Sequence, residues 1–126
     1  MEEAMGKITD SELEVMRVLW REAEPVTITR LRETLQREKG WEPTTIKTLV
    51  QRLVNKGAVA QEKRKVFYYR PVISELEYSR WAAGSLVRRL FGGSAKALVA
   101  SLMSADELTR EDVDELRAMF SGEEEP

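Results

Sequence analysis

The stretch PTTIKTLVQRLVNKGAVAQEKRKVFYYRP, residues 43–71, decides the fold, because it predicts a helix followed directly by a β-hairpin. Proline suits the first helical position, where its missing N–H would have no intrahelical partner. Apolar residues then recur at helical spacing, and they are Ile46, Leu49, Val50 and Leu53. Residues 55–57, Asn-Lys-Gly, provide a left-handed stop. The first half of the stretch is therefore predicted to be an amphipathic helix.

The second half has the pattern of a two-stranded hairpin. The runs 58–61 and 66–69 are rich in β-prone residues, and the basic segment 62–65 separates them. Pro71 ends the second strand, because proline cannot donate to a ladder. Alternation along the second strand places at least one of its three aromatic residues in the core, which favours strand packing over stacking on bases. The pattern predicts a hairpin with a basic tip.

Two further helices are predicted before this stretch. Residues 9–12, Thr-Asp-Ser-Glu, match a capping box and begin the first helix. Thr27 is a favourable N-cap for the second helix, which closes at Gly40. The order is helix, helix, helix, hairpin. The predicted fold class is mainly α with a small β-hairpin wing, a winged helix-turn-helix.

The charge of the chain is unevenly distributed. The formal net charge is -2, which by itself does not favour a nucleic-acid partner. Residues 30–70, however, contain eleven Lys and Arg against four Glu, whereas residues 104–126 contain nine carboxylates against two Arg. Lysine and arginine along one surface neutralise phosphates and release counterions. The segment that contains the third helix and the hairpin is therefore predicted to bind DNA.

Subtracting the apolar stripe from the third helix leaves a polar face that suits a DNA groove. Threonine can touch a thymine methyl, glutamine can pair with adenine, and lysine or arginine can reach guanine or phosphate. The candidate DNA-binding residues on this helix are Thr44, Thr45, Lys47, Thr48, Gln51 and Arg52. Arg30 on the second helix and Lys63, Arg64 and Lys65 at the wing complete the set. The competing interpretation of the helix is an ordinary solvated face.

After Pro71 the sequence changes character and predicts a second helical segment. Residues 74–77 match a capping box and lead into a long helix, which Gly92-Gly93 breaks before two shorter helices. The predicted domains are a winged-helix domain at 6–72, a helical segment at 73–121 and a frayed acidic tail at 122–126.

Composition excludes several classes of protein. The chain has no cysteine and no histidine, which removes disulfides, thiolate metal sites and the commonest general base. Its start is acidic without an apolar core, and no run approaches the length needed to span a bilayer. We therefore expect a cytoplasmic protein that does not insert into membranes, uses no cofactor or metal and is not an enzyme.

Several segments of the chain resemble the penicillinase-repressor (BlaI/MecI/CopY) family. The resemblance covers nearly the whole chain from Ile8 onward. It lies in residues 8–16, 19–20, 45–53, 66–69, 90–93, 97–99 and 114–117.

This resemblance implies a dimeric repressor that binds a dyad-symmetric operator as its double-stranded DNA partner. It implies that the second segment is a helical dimerisation segment, so the homodimer presents two third helices to successive major grooves. The dimerisation residues expected on this basis are Trp81, Leu86, Leu90, Phe91, Leu98, Leu102, Val113, Leu116 and Phe120.

The chain departs from the family at the positions linked to induction. In the β-lactam-responsive members a membrane sensor protease, itself a candidate partner, is understood to cut an Asn-Phe bond. The matching positions here are Ser101 and Leu102, so the Asn-Phe dipeptide is missing, and these two residues are a possible cleavage position only by resemblance. The copper-responsive members carry a C-terminal cysteine cluster, which this chain lacks. The sequence does not identify the inducing signal. The alternative function is a winged-helix protein-interaction module without specific DNA binding.

Overall fold

The computed structural model describes residues 2–122 and consists of two units, the first ending at Ala82 and the second beginning at Ala83. Seven elements lie entirely in the first unit, and they are α1 (Glu2–Gly6), α2 (Asp10–Arg21), β1 (Val26–Thr27), α3 (Ile28–Lys39), α4 (Pro43–Asn55), β2 (Val59–Lys63) and β3 (Phe67–Pro71). Next comes α5 (Glu75–Leu90), which runs across the boundary, and α6 (Ala95–Ser104) and α7 (Arg110–Ser121) lie in the second unit.

Local capping signals set the helix starts where the sequence predicts them. The Thr9 N–H donates to Glu12 Oε1 at 3.0 Å, and the Glu12 N–H donates to Thr9 Oγ1 at 3.2 Å, which completes the capping box of α2. The Thr27 hydroxyl caps α3 by accepting from the Arg30 N–H. Gly40 ends that helix in the left-handed conformation, with φ of 69°.

The wing is a three-stranded antiparallel sheet with the strand order β1-β3-β2. The predicted hairpin is confirmed, but β2 extends to Lys63, so the turn is shorter than residues 62–65. The strand β1 was not predicted, because two residues are too few to show an alternating pattern. The short helix α1 was not predicted either, and its Met5 is buried in the core.

The core of the first unit forms where the helices meet the sheet. Its largest fully buried hydrophobic side chains are Met16, Leu19, Leu31, Leu35, Ile46, Leu53 and Ile73. The three tryptophans pack against this core while remaining partly exposed. Trp20 also donates from Nε1 to the carbonyl of Ile73 at 2.8 Å, which fixes the chain after β3 against α2.

The second unit is built differently. None of the described residues of α5, α6 or α7 is fully buried. Gly92 and Gly93 have φ of 57° and 84°, so the predicted break after α5 is confirmed. An open apolar cleft lies between α6 and α7, lined by Val99, Met103, Leu108, Val113, Leu116, Arg117 and Phe120. Gly122 caps α7, and residues 123–126 of the predicted acidic tail lie outside the described residues.

No helix within residues 2–122 is long and apolar enough to cross a membrane.

Candidate nucleic-acid interface

The six candidate residues on α4 share one exposed face. Ile46, Leu49, Val50 and Leu53 of this helix are buried in the core, so its fixed orientation leaves the polar side chains in solvent. The exposed residues are Thr44, Thr45, Lys47, Thr48, Gln51 and Arg52. Part of this face is a shallow concavity lined by Thr44, Thr45, Thr48, Leu49 and Arg52. The structure therefore brings together the residues that the sequence assigned to the third helix.

Hydrogen bonds within α4 limit what this face can offer a ligand. The Thr48 hydroxyl donates to the carbonyl of Thr44 at 2.9 Å, so Thr48 offers an acceptor and a methyl group but not a donor. Gln51 Nε2 donates to Asn55 Oδ1 at 3.2 Å. Asn55 was not among the predicted site residues. Its position one helical turn after Gln51 was the signal that could have identified it.

The positive charge of the face comes from Lys47 and Arg52. Within residues 2–122, neither side chain has an acidic group within 4.0 Å. Both are exposed. They are therefore available for phosphate oxygens or guanine edges.

The wing holds its basic residues beside its aromatic residues. Lys63 Nζ lies 5.7 Å from the centre of the Phe67 ring, and the Arg64 guanidinium lies 4.7 Å from that of Tyr68. Arg64 also pairs with Glu62 at 3.4 Å. These contacts restrict the two cations, because a ring face attracts positive charge. Tyr69 is buried, which confirms that at least one aromatic residue of β3 packs in the core.

The remaining two basic candidates have different environments. Lys65 is exposed in the turn of the wing, after the end of β2. Arg30, near the start of α3, pairs with Glu22 at 3.4 Å. Arg30 thus lies on the exposed surface, but part of its charge is already compensated.

Ion pairs also reduce the positive charge that the sequence count suggested. Among residues 2–122, carboxylate partners are found for five of the eleven basic residues of segment 30–70, and three of those partners lie outside the segment. The basic residues involved are Arg30, Arg37, Lys39, Lys56 and Arg64. Eleven Lys and Arg against four Glu give segment 30–70 a net charge of +7. The local positive field is weaker than this value implies, and it is concentrated on α4 and the wing.

The most deeply buried ion pair attaches the end of α4 to the start of α2. Lys56 Nζ donates to Glu12 Oε1 at 2.5 Å and to the carbonyl of Lys7 at 2.7 Å. Glu12 is fully buried, and its Oε2 has no hydrogen-bond partner among the described residues. Burial raises the pKa of Glu12, but the bonds from Lys56 and Thr9 outweigh it, so the pKa lies below its ordinary value. Sequence reasoning assigned Glu12 only a capping role.

The expected dimerisation residues fall in both units. Trp81 packs against the core of the first unit and lies 5.9 Å from the Tyr78 ring, centre to centre. The others lie in or next to α5, α6 and α7, where Leu90 is 66% exposed and Phe120 is 82% exposed. The partly exposed members are Leu86, Phe91, Leu98, Leu102, Val113 and Leu116. Their role in dimerisation stays a prediction.

The candidate cleavage position lies within a helix. Ser101 and Leu102 belong to α6, where Ser101 is exposed and Leu102 is partly buried. The same helix ends with the Ser104 hydroxyl donating to the carbonyl of Ala100. The peptide bond between Ser101 and Leu102 is therefore held in regular helical structure.

No group of three or more carboxylates among residues 2–122 is arranged to hold a metal ion.

Comparison with known proteins identifies the family. The family model described as "Penicillinase repressor" matches residues 8–122. The chain belongs to the penicillinase repressor family. Members of this family are transcriptional repressors and not enzymes, so the chain is a winged-helix DNA-binding repressor.

Individual relatives agree with this assignment. The penicillinase repressor of Bacillus licheniformis is 35% identical over 111 residues, covering 87% of this chain and 86% of the relative. The solution structure of the DNA-binding domain of the repressor BlaI is 37% identical, has a TM-score of 0.53, and covers 59% of this chain and 90% of that domain.

A second solved structure contains DNA. The solution structure of the monomeric form of Bacillus licheniformis BlaI in complex with the blaP half-operator is 38% identical, with a TM-score of 0.51. The match covers 57% of this chain and 88% of the BlaI chain.

Proposed function

We propose that this repressor binds a dyad-symmetric operator as a homodimer, with α4 of each copy in the major groove. The observation that carries the proposal is the single exposed face of α4, on which Thr44, Thr48, Gln51 and Arg52 lie beside Lys47. A helix fits the major groove, and these residue types can contact base edges and phosphates. Lys63, Arg64 and Lys65 of the wing contact the flanking backbone or minor groove, and Arg30 adds a contact from α3.

The second unit supports the homodimer. A monomer leaves Leu90, Met103, Met119 and Phe120 more than half exposed, and Met103 and Phe120 line the same apolar cleft. Exposed apolar surface of this kind marks an interaction site. A second copy of the same unit would cover them in a self-complementary contact. The related BlaI complex, in which a monomeric form holds a half-operator, supports two copies on a full operator.

Release from the operator is the least constrained part of the proposal. Ser101 and Leu102 replace the Asn-Phe dipeptide expected at the cleavage position. Proteolysis here also requires α6 to open locally, because a protease binds its substrate in an extended form. We propose that an unidentified signal, either a sensor-linked protease or another effector, weakens the dimer.

Gel-shift titration against the promoter region of the gene for this protein tests the proposal. We expect Lys47→Ala and Arg52→Ala each to weaken binding by about 1–3 kcal/mol. Arg17→Ala is the matched control, since it removes one positive charge from an exposed position of α2. The far-ultraviolet circular dichroism of all three variants should equal that of the parent.

Added salt separates this function from a protein-interaction module. Binding through several phosphate contacts should weaken steeply with salt, because counterions are released on binding. Binding to the promoter that is no tighter than to random DNA, or that is unchanged in both α4 variants, would refute the operator-binding assignment.

A further inference from the structure

Gln51 and Asn55 form an amide pair on the exposed face of α4. They lie one helical turn apart, both are exposed, and Gln51 Nε2 donates to Asn55 Oδ1 at 3.2 Å. An exposed glutamine normally samples many rotamers, and ordering it on a ligand costs conformational entropy. Here a neighbouring side chain already holds the Gln51 amide. In this pair the nitrogen end of the Gln51 amide is the donor.

The amide of Gln51 keeps the groups that a bidentate contact needs. Its nitrogen carries two hydrogens, and the bond to Asn55 uses one of them. One N–H donor and the Oε1 acceptor remain. In the major groove adenine presents the N7 acceptor beside the N6 donor, whereas guanine presents two acceptors. An amide with its donor and acceptor side by side therefore matches adenine and leaves one group unmatched on guanine.

We propose that Asn55 is a positioning residue that orients the Gln51 amide to read one adenine in each half-site. The proposal rests on the operator-binding function, and it adds a specificity determinant to it. Asn55 contributes through Gln51 and not through a contact of its own to DNA. Lys47 lies one turn before Gln51 on the same row of the helix, so it supplies charge next to this reading position.

Replacing single atoms of the operator tests this mechanism. 7-Deazaadenine lacks the N7 acceptor but keeps the N6 amino group and base pairing. We substitute it at each adenine of one half-site in turn and measure binding by gel shift with the full chain. At one adenine the parent protein should bind the modified operator about fivefold more weakly, the effect of one lost hydrogen bond.

Three variants assign that sensitivity to the amide pair. With Gln51→Ala the modified and natural operators should bind equally. With Asn55→Ala the ratio should fall to about twofold, because the amide is no longer held. Asn55→Asp keeps the acceptor oxygen, so it should bind all DNA more weakly through phosphate repulsion yet retain the fivefold ratio.

The outcomes separate this inference from the function on which it rests. No specific binding by the parent protein overturns both. Two results overturn only the role of Gln51. One is specific binding in which no adenine is sensitive to 7-deaza substitution. The other is a ratio of natural to modified operator affinity that Gln51→Ala leaves unchanged. If Asn55→Ala weakens the natural and modified operators equally, then Asn55 contacts DNA itself and the positioning role is overturned. Equal thermal unfolding of Asn55→Ala and the parent protein controls for a change in fold.

Discussion

The two units of this chain bury their apolar residues to different extents. In the first unit the apolar stripes of α2, α3 and α4 meet each other and the sheet, and Val15, Met16, Leu31, Leu35 and Leu53 have no exposed surface. In the second unit no described residue is fully buried, and Phe120 is 82% exposed. A helix hides one apolar stripe only if another element covers it.

The difference agrees with the separate tasks that the proposed function gives to the two units. A core that closes within one chain can hold α4 in a fixed orientation, which reading a DNA groove requires. An apolar surface that a single chain leaves open is stabilised by association. We therefore propose that the first unit serves recognition and the second joins two copies, and the following predictions test that division.

The largest effect is expected in the core of the first unit. Leu31→Ala removes a fully buried side chain and should lower the free energy of unfolding by about 2–5 kcal/mol. Urea denaturation followed by tryptophan fluorescence measures this loss, because all three tryptophans pack against the core. Leu76→Ala is the control, since Leu76 is 58% exposed and is not an expected dimerisation residue. Equal losses in the two variants would contradict the burial of Leu31 in the core.

The buried pair of Glu12 and Lys56 should have the next largest effect. Glu12→Gln keeps an acceptor for the Thr9 N–H but leaves the charge of Lys56 without its partner, at an expected cost of about 1–3 kcal/mol. Glu14→Gln, which removes a more exposed ion pair from the same helix, should cost less than about 1 kcal/mol. Similar losses in both variants would show that burial does not strengthen the pair.

The same pair predicts a dependence on pH. The pKa of Glu12 is lower in the folded state than its ordinary value of 4.5. A lowered pKa stabilises the fold above the ordinary value, and this stabilisation is lost as the pH falls through the folded value. The difference in stability between the parent and Glu12→Gln should therefore shrink below about pH 4.5. A difference that stays constant down to pH 3 would contradict the pKa assignment.

A smaller effect is expected from the surface of the second unit. Phe120→Ser removes an exposed apolar side chain, so it should leave the unfolding of the first unit unchanged. If a second copy covers Phe120, dimer affinity should fall about tenfold, which is ~1.4 kcal/mol. Analytical ultracentrifugation measures this change. Arg110→Ser, in the same exposed helix, is a polar control, and an unaltered dimer in Phe120→Ser would remove that residue from the interface.

The sequence predicted the elements whose signals are local. Thr9 and Thr27 mark helix starts through side-chain caps, and Gly40 marks a helix end because glycine accepts a positive φ. The polar face of α4 followed by subtraction, because its apolar stripe is regular over the whole helix. These features depend on residues within a few positions of each other.

Features that depend on distant contacts could not be predicted in this way. The strand β1 is defined by pairing Val26 with Tyr69, more than forty positions later. The partner of Glu12 is Lys56, 44 residues away, and a charge count treated that lysine as available for DNA. Pairing of this kind is decided by tertiary packing, which periodicity does not encode.

The last comparison concerns the same cap in the two units, and the smallest effect is expected at Thr109. Thr9 and Thr109 both have φ of -80° and ψ of 166°, and each closes a capping box with an acidic residue. The cap at Thr9 is partly buried, whereas the cap at Thr109 is exposed. An N–H that loses its acceptor in the interior cannot bond to water instead. Thr9→Ala should therefore cost about 1–2 kcal/mol and Thr109→Ala about 0.5 kcal/mol.

Amide hydrogen exchange at Glu12 and Asp112 measures the two caps separately. Thr9→Ser and Thr109→Ser are the controls, because serine keeps the hydroxyl group. The pKa of Asp112 is lowered by the hydrogen bond from the Thr109 N–H, so acid should weaken this cap as the pH falls through that lowered value. In acid the Thr109 N–H of the parent should therefore exchange faster, whereas the Asp112 N–H keeps its bond to the Thr109 hydroxyl. Equal protection losses from Thr9→Ala and Thr109→Ala would mean that both units exclude water equally at their helix starts, which contradicts the difference in burial between them.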